Sequence, residues 1–311
     1  MTNYLTRLLK KMQPVRSICS HSANITQLTH THTNTAKIIS VEGNIGAGKT
    51  TLANNIGEIL GYKVFYEPVN QNPYLAKFYE SPKDYAFKLQ LWIYRQRFLI
   101  YCNALQHYLS TGQGVILDRS VYSDRVFAKT GNNDGFISST EYDQYELLRQ
   151  QLLNRVIPPH LLVYLHVSPT DCLERVRKRG RIYEKSISTS YLQKLEDEFD
   201  NFVEEMRFFA HIFFYYCNNL VFKFKQCSCR RSGVSVYWYD WSKYGNIEKI
   251  IADINRQDST VENSKNINEV KKFICNREEI LSILHPYEIA NLNDEIDQKA
   301  ELDYWLREQI Q

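Results

Sequence analysis

Apolar residues along this chain follow two rhythms. Short, largely β-branched or aromatic runs recur at 37–41, 63–66, 115–117, 161–167 and 234–239, and each reads as a buried strand. Between them, apolar positions return at helical spacing over 51–60, over 75–109 with a break at Ser81-Pro82, over 140–155 and over 186–206. A further basic helix begins at Ser168-Pro169-Thr170, where Ser168 or Thr170 is a suitable N-cap. Strands alternating with helices predict an α/β domain with a doubly wound, five-stranded parallel sheet flanked by helices in three layers. Residues 207–232, rich in Phe and Tyr and then basic, interrupt this rhythm and read as an insertion. From 255 to 311 the chain turns polar, acidic and Asn-rich with helical islands, a C-terminal extension to a domain spanning 36–254.

The first forty residues have a different character. They contain no Asp or Glu, while Arg7, Lys10, Lys11 and Arg16 alternate with Ser and Thr. Leu5, Leu8, Leu9 and Met12 would form an apolar stripe on a helix. That composition is the one of a mitochondrial transit peptide, expected over 1–35, with the mitochondrial matrix as the expected location; a disordered N-terminal tail is the alternative reading. The remaining bulk properties exclude more than they assign. A formal charge of +3 gives no basic surface of the kind nucleic acids need. Seven scattered Cys form neither a disulfide framework nor a zinc pattern, and no apolar run is long enough to span a membrane.

Chemistry enters at Gly43-Asn44-Ile45-Gly46-Ala47-Gly48-Lys49-Thr50, which fits G-x-x-x-x-G-K-[ST] in full between a predicted strand and a predicted helix. Glycines there let backbone N–H groups curl around phosphate oxygens, and the helix presents its positive end to them. Lys49 would bridge the β- and γ-phosphates of ATP, with the Thr50 hydroxyl on Mg2+ and Thr51 beside it in the first helical turn. The motif predicts a P-loop NTPase fold but does not separate kinases from other members of that fold.

Two further strand ends carry charge. Glu67, expected beside the P-loop, could accept the proton of a hydroxyl attacking the γ-phosphoryl group; a Glu before a proline turn is also an ordinary surface feature. In Asp118-Arg119-Ser120 the carboxylate suits magnesium and the guanidinium suits phosphate, although a strand-terminal ion pair has the same appearance. Downstream, Arg175, Arg177, Lys178, Arg179 and Arg181 flank Gly180. Such a run is often a solvated helix face; with a glycine hinge it would also serve as a basic helical lid over triphosphate.

Taken together, the P-loop, Glu67-Pro68-Val69, the run from Asp118 to Arg125 and Arg179-Gly180-Arg181 with Glu184 resemble the deoxyribonucleoside kinase family. The resemblance implies Glu67 as general base on the sugar 5′-hydroxyl, with Arg119 and Lys49 completing the catalytic group. It implies Tyr79 and Glu184 on the 3′-hydroxyl, Gln90 on the base edge, and Arg97, Asp124 and Phe127 shaping the base site. Arg175, Arg179 and Arg181 would grip ATP, and Thr50 and Asp118 would hold magnesium. A homodimer is the usual assembly of that family. Asp118 departs from the family's commoner Glu, and Arg125 and Phe127 are one residue closer than its pattern has them. A second resemblance, carried by residues 110–117 and by Tyr239-Asp240-Trp241-Ser242, is to the kinase-fold accessory subunit of mitochondrial respiratory complex I, which implies a structural role among that complex's subunits.

Overall fold

The computed structural model describes residues 36–67, 72–181, 184–219, 234–257 and 266–289. The expected presequence at 1–35, Pro68 and Val69, the second half of the stretch read as an insertion, and the end of the C-terminal extension lie outside the described residues.

Five strands form one parallel sheet: β1 (Ile38–Gly43), β2 (Lys63–Phe65), β3 (Val115–Asp118), β4 (Leu161–His166) and β5 (Ser235–Asp240), in the order β2-β3-β1-β4-β5. The central strands are apolar on both faces because both faces are covered. Alternation along β1 and β3 divides them between two cores, with Ile39, Val41 and Ile116 on one side and Ile38, Val115 and Leu117 on the other. The doubly wound, three-layer expectation is met.

Ten helices are described: α1 (Lys49–Leu60), α2 (Leu75–Glu80), α3 (Pro82–Thr111), α4 (Asp124–Asn133), α5 (Ser139–Leu153), α6 (Pro169–Arg179), α7 (Thr189–Asn219), α8 (Ile247–Arg256), α9 (Ile267–Cys275) and α10 (Arg277–Ile289). The α2–α3 break falls at Ser81, with Pro82 as the first residue of α3, where its missing N–H costs nothing. Ser168 caps α6 by accepting the Asp171 N–H at 3.1 Å.

Three details differ from the sequence-based expectation. Helix α4 follows directly after the Asp118–Ser120 turn; its Gly131-Asn132-Asn133 end carries turn signals that conceal it. Helix α7 continues past residue 206 to Asn219, and no Gly or Pro interrupts that span. Strand β2 is the sheet edge, with β3 between it and β1, so Glu67 is one strand removed from the P-loop instead of beside it.

Candidate active site

The carboxyl ends of β1, β2 and β3 open on a cavity of about 290 Å³, located where the sheet order reverses around β1, the usual place for a ligand in an open α/β sheet. The P-loop forms its floor. Gly46 has φ +83°, and a Cβ there would lie 2.6 Å from the Cys172 carbonyl oxygen, so only glycine fits. Lys49 Nζ donates to the Asn44 carbonyl at 2.7 Å. Asn44 is itself fixed by its amide donating to the Leu192 carbonyl at 2.8 Å and to Glu196 at 3.1 Å. Glu196 also accepts from Tyr164 and meets His166, 2.6 Å away. With Asp200 these residues form a His-Glu-Asp cluster, but Glu196 Oε2 is engaged by the loop's Asn44 and Oε1 by Tyr164.

Above the floor lies a buried chain of alternating charge. Arg97 bonds Glu67 through Nε at 3.0 Å and through Nη2, and reaches Asp124 through Nη1 at 2.6 Å. Arg119 Nε stands 3.6 Å from the other Glu67 oxygen. Asp124 further accepts from Gln90 at 2.6 Å and Tyr145 at 2.8 Å. Phe127 packs against both guanidinium groups, 5.2 Å from Arg97 and 4.9 Å from Arg119. Arg119 has φ +69°, a left-handed conformation that costs a non-glycine residue about 1–3 kcal/mol and marks functional turns.

These contacts set protonation. Burial pushes the Glu67 carboxyl up, but Arg97 and Arg119 outweigh it, so the group is held below its ordinary range as a carboxylate. Lys49 is brought down to about 7 by burial and by the Arg119 charge, with Asp118 and Glu67 opposing. Burial raises Asp118 and Asp124 despite their cationic neighbours. Thr50 Oγ1 donates to Asp118, so a hydroxyl and a carboxylate stand together next to Lys49. That pair of hard oxygens, beside a loop built for phosphate, fits a magnesium ion.

Of the residues singled out from sequence, Ile45, Gly46, Lys49, Thr50, Glu67, Tyr79, Gln90, Arg97, Asp118, Arg119, Phe127, Arg179, Arg181 and Glu184 line this one cavity. Gly43, Asn44, Ala47 and Gly48 build the loop beneath it, Thr51 is exposed on α1, and Asp124 acts from behind Gln90 and Arg97. Arg179 grips Glu184 with bonds of 2.7 and 2.8 Å, joined by Arg181 at 3.4 Å. Arg175 is the exception. Its guanidinium donates to the carbonyls of Ala47, Trp241 and Ser242 and covers the Tyr244 ring at 4.6 Å, so it bolts the P-loop to the end of β5 instead of facing the cavity.

Sequence reasoning passed over Tyr145 and the walls formed by Ala86, Leu89, Ile93, Phe136 and Tyr191. A signal existed for Ala86, Leu89 and Ile93. Residues 86, 89, 90, 93 and 97 follow helical spacing, so the face of α3 that carries Gln90 and Arg97 carries these as well.

The sequence pattern of the family described as deoxynucleoside kinase matches residues 39–275, from β1 through α9. The chain is 40% identical over 222 residues to a deoxyguanosine kinase of Dictyostelium discoideum, covering 71% of this chain and 70% of that protein. It is 38% identical over 196 residues to the mitochondrial NADH dehydrogenase (ubiquinone) 1 alpha subcomplex subunit 10 of Bos taurus, covering 56% of this chain and 57% of that protein. Among solved structures, a deoxyadenosine kinase from M. mycoides with bound dCTP superimposes with a TM-score of 0.53 at 25% identity, over 70% of this chain and 98% of that one.

Proposed function

The chain belongs to the deoxynucleoside kinase family, and from that premise we propose that it transfers the γ-phosphoryl group of ATP to the 5′-hydroxyl of a deoxyribonucleoside. The observation that carries this reading is the convergence of a complete P-loop and an anionic Glu67, braced by Arg97 and Arg119, on one cavity.

In this reading the P-loop N–H groups and Lys49 receive the triphosphate, and its negative charge restores the Lys49 ammonium that burial disfavours. Thr50 and Asp118 would hold magnesium, which when bound neutralises phosphate charge. Glu67 accepts the proton of the 5′-hydroxyl as its oxygen attacks, and Arg119 lies across the transferring group. Gln90 presents its amide to the base, with Arg97 and Asp124 fixing the polarity of that wall and Phe127 its shape. Arg179 and Arg181 exchange Glu184 for phosphate when nucleotide enters, freeing Glu184 to join Tyr79 on the sugar 3′-hydroxyl. The acid-free start of the chain and its similarity to a mitochondrial relative support import into mitochondria, with residues 1–35 as the targeting segment.

The test is ATP-dependent phosphorylation of the four deoxyribonucleosides, with Lys49→Ala as the blank. Turnover absent from the blank is expected, and Glu67→Gln should lower kcat by about 10²–10⁴-fold while nucleoside binding persists. Normal turnover in Glu67→Gln would remove Glu67 as the base. A second reading is favoured by the similarity to the bovine NADH dehydrogenase subunit, namely a structural place in that complex. A folded wild-type chain inert toward all four nucleosides would select it.

A further inference from the structure

Glu42, the penultimate residue of β1, is fully buried and does not line the cavity. Its Oε1 accepts from the Ser120 backbone N–H at 2.8 Å, from the Ser120 hydroxyl at 2.7 Å and from the Ser40 hydroxyl. The other oxygen, Oε2, is buried with no hydrogen-bond partner among the described residues. A carboxylate kept in the interior with half its capacity unused calls for a reason, since such a group is costly to bury.

The reason lies one residue upstream of Ser120. The Arg119 N–H donates to the Val41 carbonyl at 3.1 Å, which extends the β1–β3 ladder one position past Asp118. The next N–H, that of Ser120, turns onto the side chain of Glu42. Arg119 is thus held between two amides that are both tied to β1, and its φ of +69° is the conformation that connects them. Ser120 carries the restraint onward: its Oγ accepts the Tyr122 N–H at 3.3 Å, and its carbonyl accepts the Ser123 hydroxyl, directly before Asp124 opens α4. The Glu42 charge also acts on the Arg119 and Arg97 guanidinium groups, favouring their charged forms.

We propose that Glu42 is a positioning residue for phosphoryl transfer: its buried carboxylate clamps Ser120 and so holds Arg119 in the left-handed turn that aims its guanidinium at Glu67 and the transferring group. The proposal rests on the kinase reading for its kinetic consequence, but the clamp itself is independent of turnover.

Glu42→Gln keeps shape and one accepting oxygen while removing the charge. In the full chain it should lower kcat by roughly 10- to 100-fold and move the nucleoside KM by less than about 3-fold, as expected of an interaction made only in the transition state. Ser120→Ala, which deletes one of the three bonds to Oε1, should give the same pattern at smaller amplitude and serves if Glu42→Gln does not fold. In an Arg119→Ala background, Glu42→Gln should change kcat by less than about 2-fold, because a residue acting through Arg119 has nothing left to position. An unchanged kcat in Glu42→Gln, or the full loss repeated without Arg119, would overturn the proposal; the latter result is what a merely structural carboxylate gives. A readout free of catalysis separates this failure from failure of the kinase reading. The Ser120 amide proton, bonded to a carboxylate, should resonate downfield in the wild-type protein and move upfield in Glu42→Gln. Absence of wild-type turnover together with that movement would retire the kinase reading and leave the clamp standing, whereas an amide that does not move would remove the clamp.

Discussion

Lys49 and Glu67 line the same cavity, and both titrate below their ordinary values with opposite consequences: Lys49 moves toward neutrality while Glu67 is held anionic. The difference follows from the company each keeps. Burial dominates at Lys49, whereas two guanidinium groups overcome it at Glu67. A different residue contributes to acid sensitivity. His160, just before β4, is buried, and its Nδ1 accepts the Ile38 N–H at 3.0 Å, which requires the neutral ring. Burial and the nearby Lys37 charge bring it down to about 4. Because the folded value lies below the unfolded one, the unfolded chain binds the extra proton between about pH 6.5 and 4. Stability is therefore full above that window and falls as pH drops through it, by about 3 kcal/mol over 2.5 units at 1.36 kcal/mol each. Urea unfolding across this range should show the step in the wild type and not in His160→Gln. Identical pH slopes in the two proteins would refute the assignment.

Helix α3 shows how one element serves two masters. Gln90 and Arg97 reach the cavity, while Tyr94, Phe98, Tyr101 and Leu105 of the same helix pack into the core that holds Ile38, Val115 and Leu117. That core is completed from the C-terminal segment, where Val270, Phe273 and Ile274 of α9 and Ile280 and Leu284 of α10 join α3 and α5. Phe273 lies 6.4 Å from the Phe98 ring and beneath the Arg155 guanidinium, whose own partner is Glu279. The extension therefore acts as part of the domain's packing. Phe273→Ala should cost about 3 kcal/mol of stability, read as a lower unfolding midpoint, with KM values for both substrates unaltered. An unchanged midpoint would mean that the C-terminal helices contribute little to the fold. At this scale most elements were legible in the sequence, because buried parallel strands and amphipathic helices have distinct periods. Helix α4 was not, since the Gly131-Asn132-Asn133 run at its end carries turn signals that conceal it.

Across the whole molecule, the P-loop depends on chain segments far from it in sequence. Arg175 of α6 ties the Ala47 carbonyl to those of Trp241 and Ser242, joining residues that follow β1, β4 and β5 at the carboxyl end of the parallel sheet. A lysine presents a point charge where this fork spans three carbonyls. Arg175→Lys should therefore lower stability by about 2 kcal/mol and raise the KM for ATP, leaving the nucleoside KM in place; denaturation and steady-state kinetics test both parts. An unaltered ATP KM would show that the bolt is not felt by the loop. The sequence by itself determined the strand–helix alternation and the phosphate loop, local facts written in periodicity and in a motif whose glycines have few substitutes; Arg97, Asp124 and Glu184 were singled out only through the family resemblance. Only the tertiary structure decided that Glu67 comes from an edge strand, that Arg175 faces backbone carbonyls instead of the cavity, and that Glu42 and Tyr145 support the site from behind. Those assignments depend on which strand ends and helix faces the sheet order brings together, and a residue's type and spacing do not encode its partner across such distances.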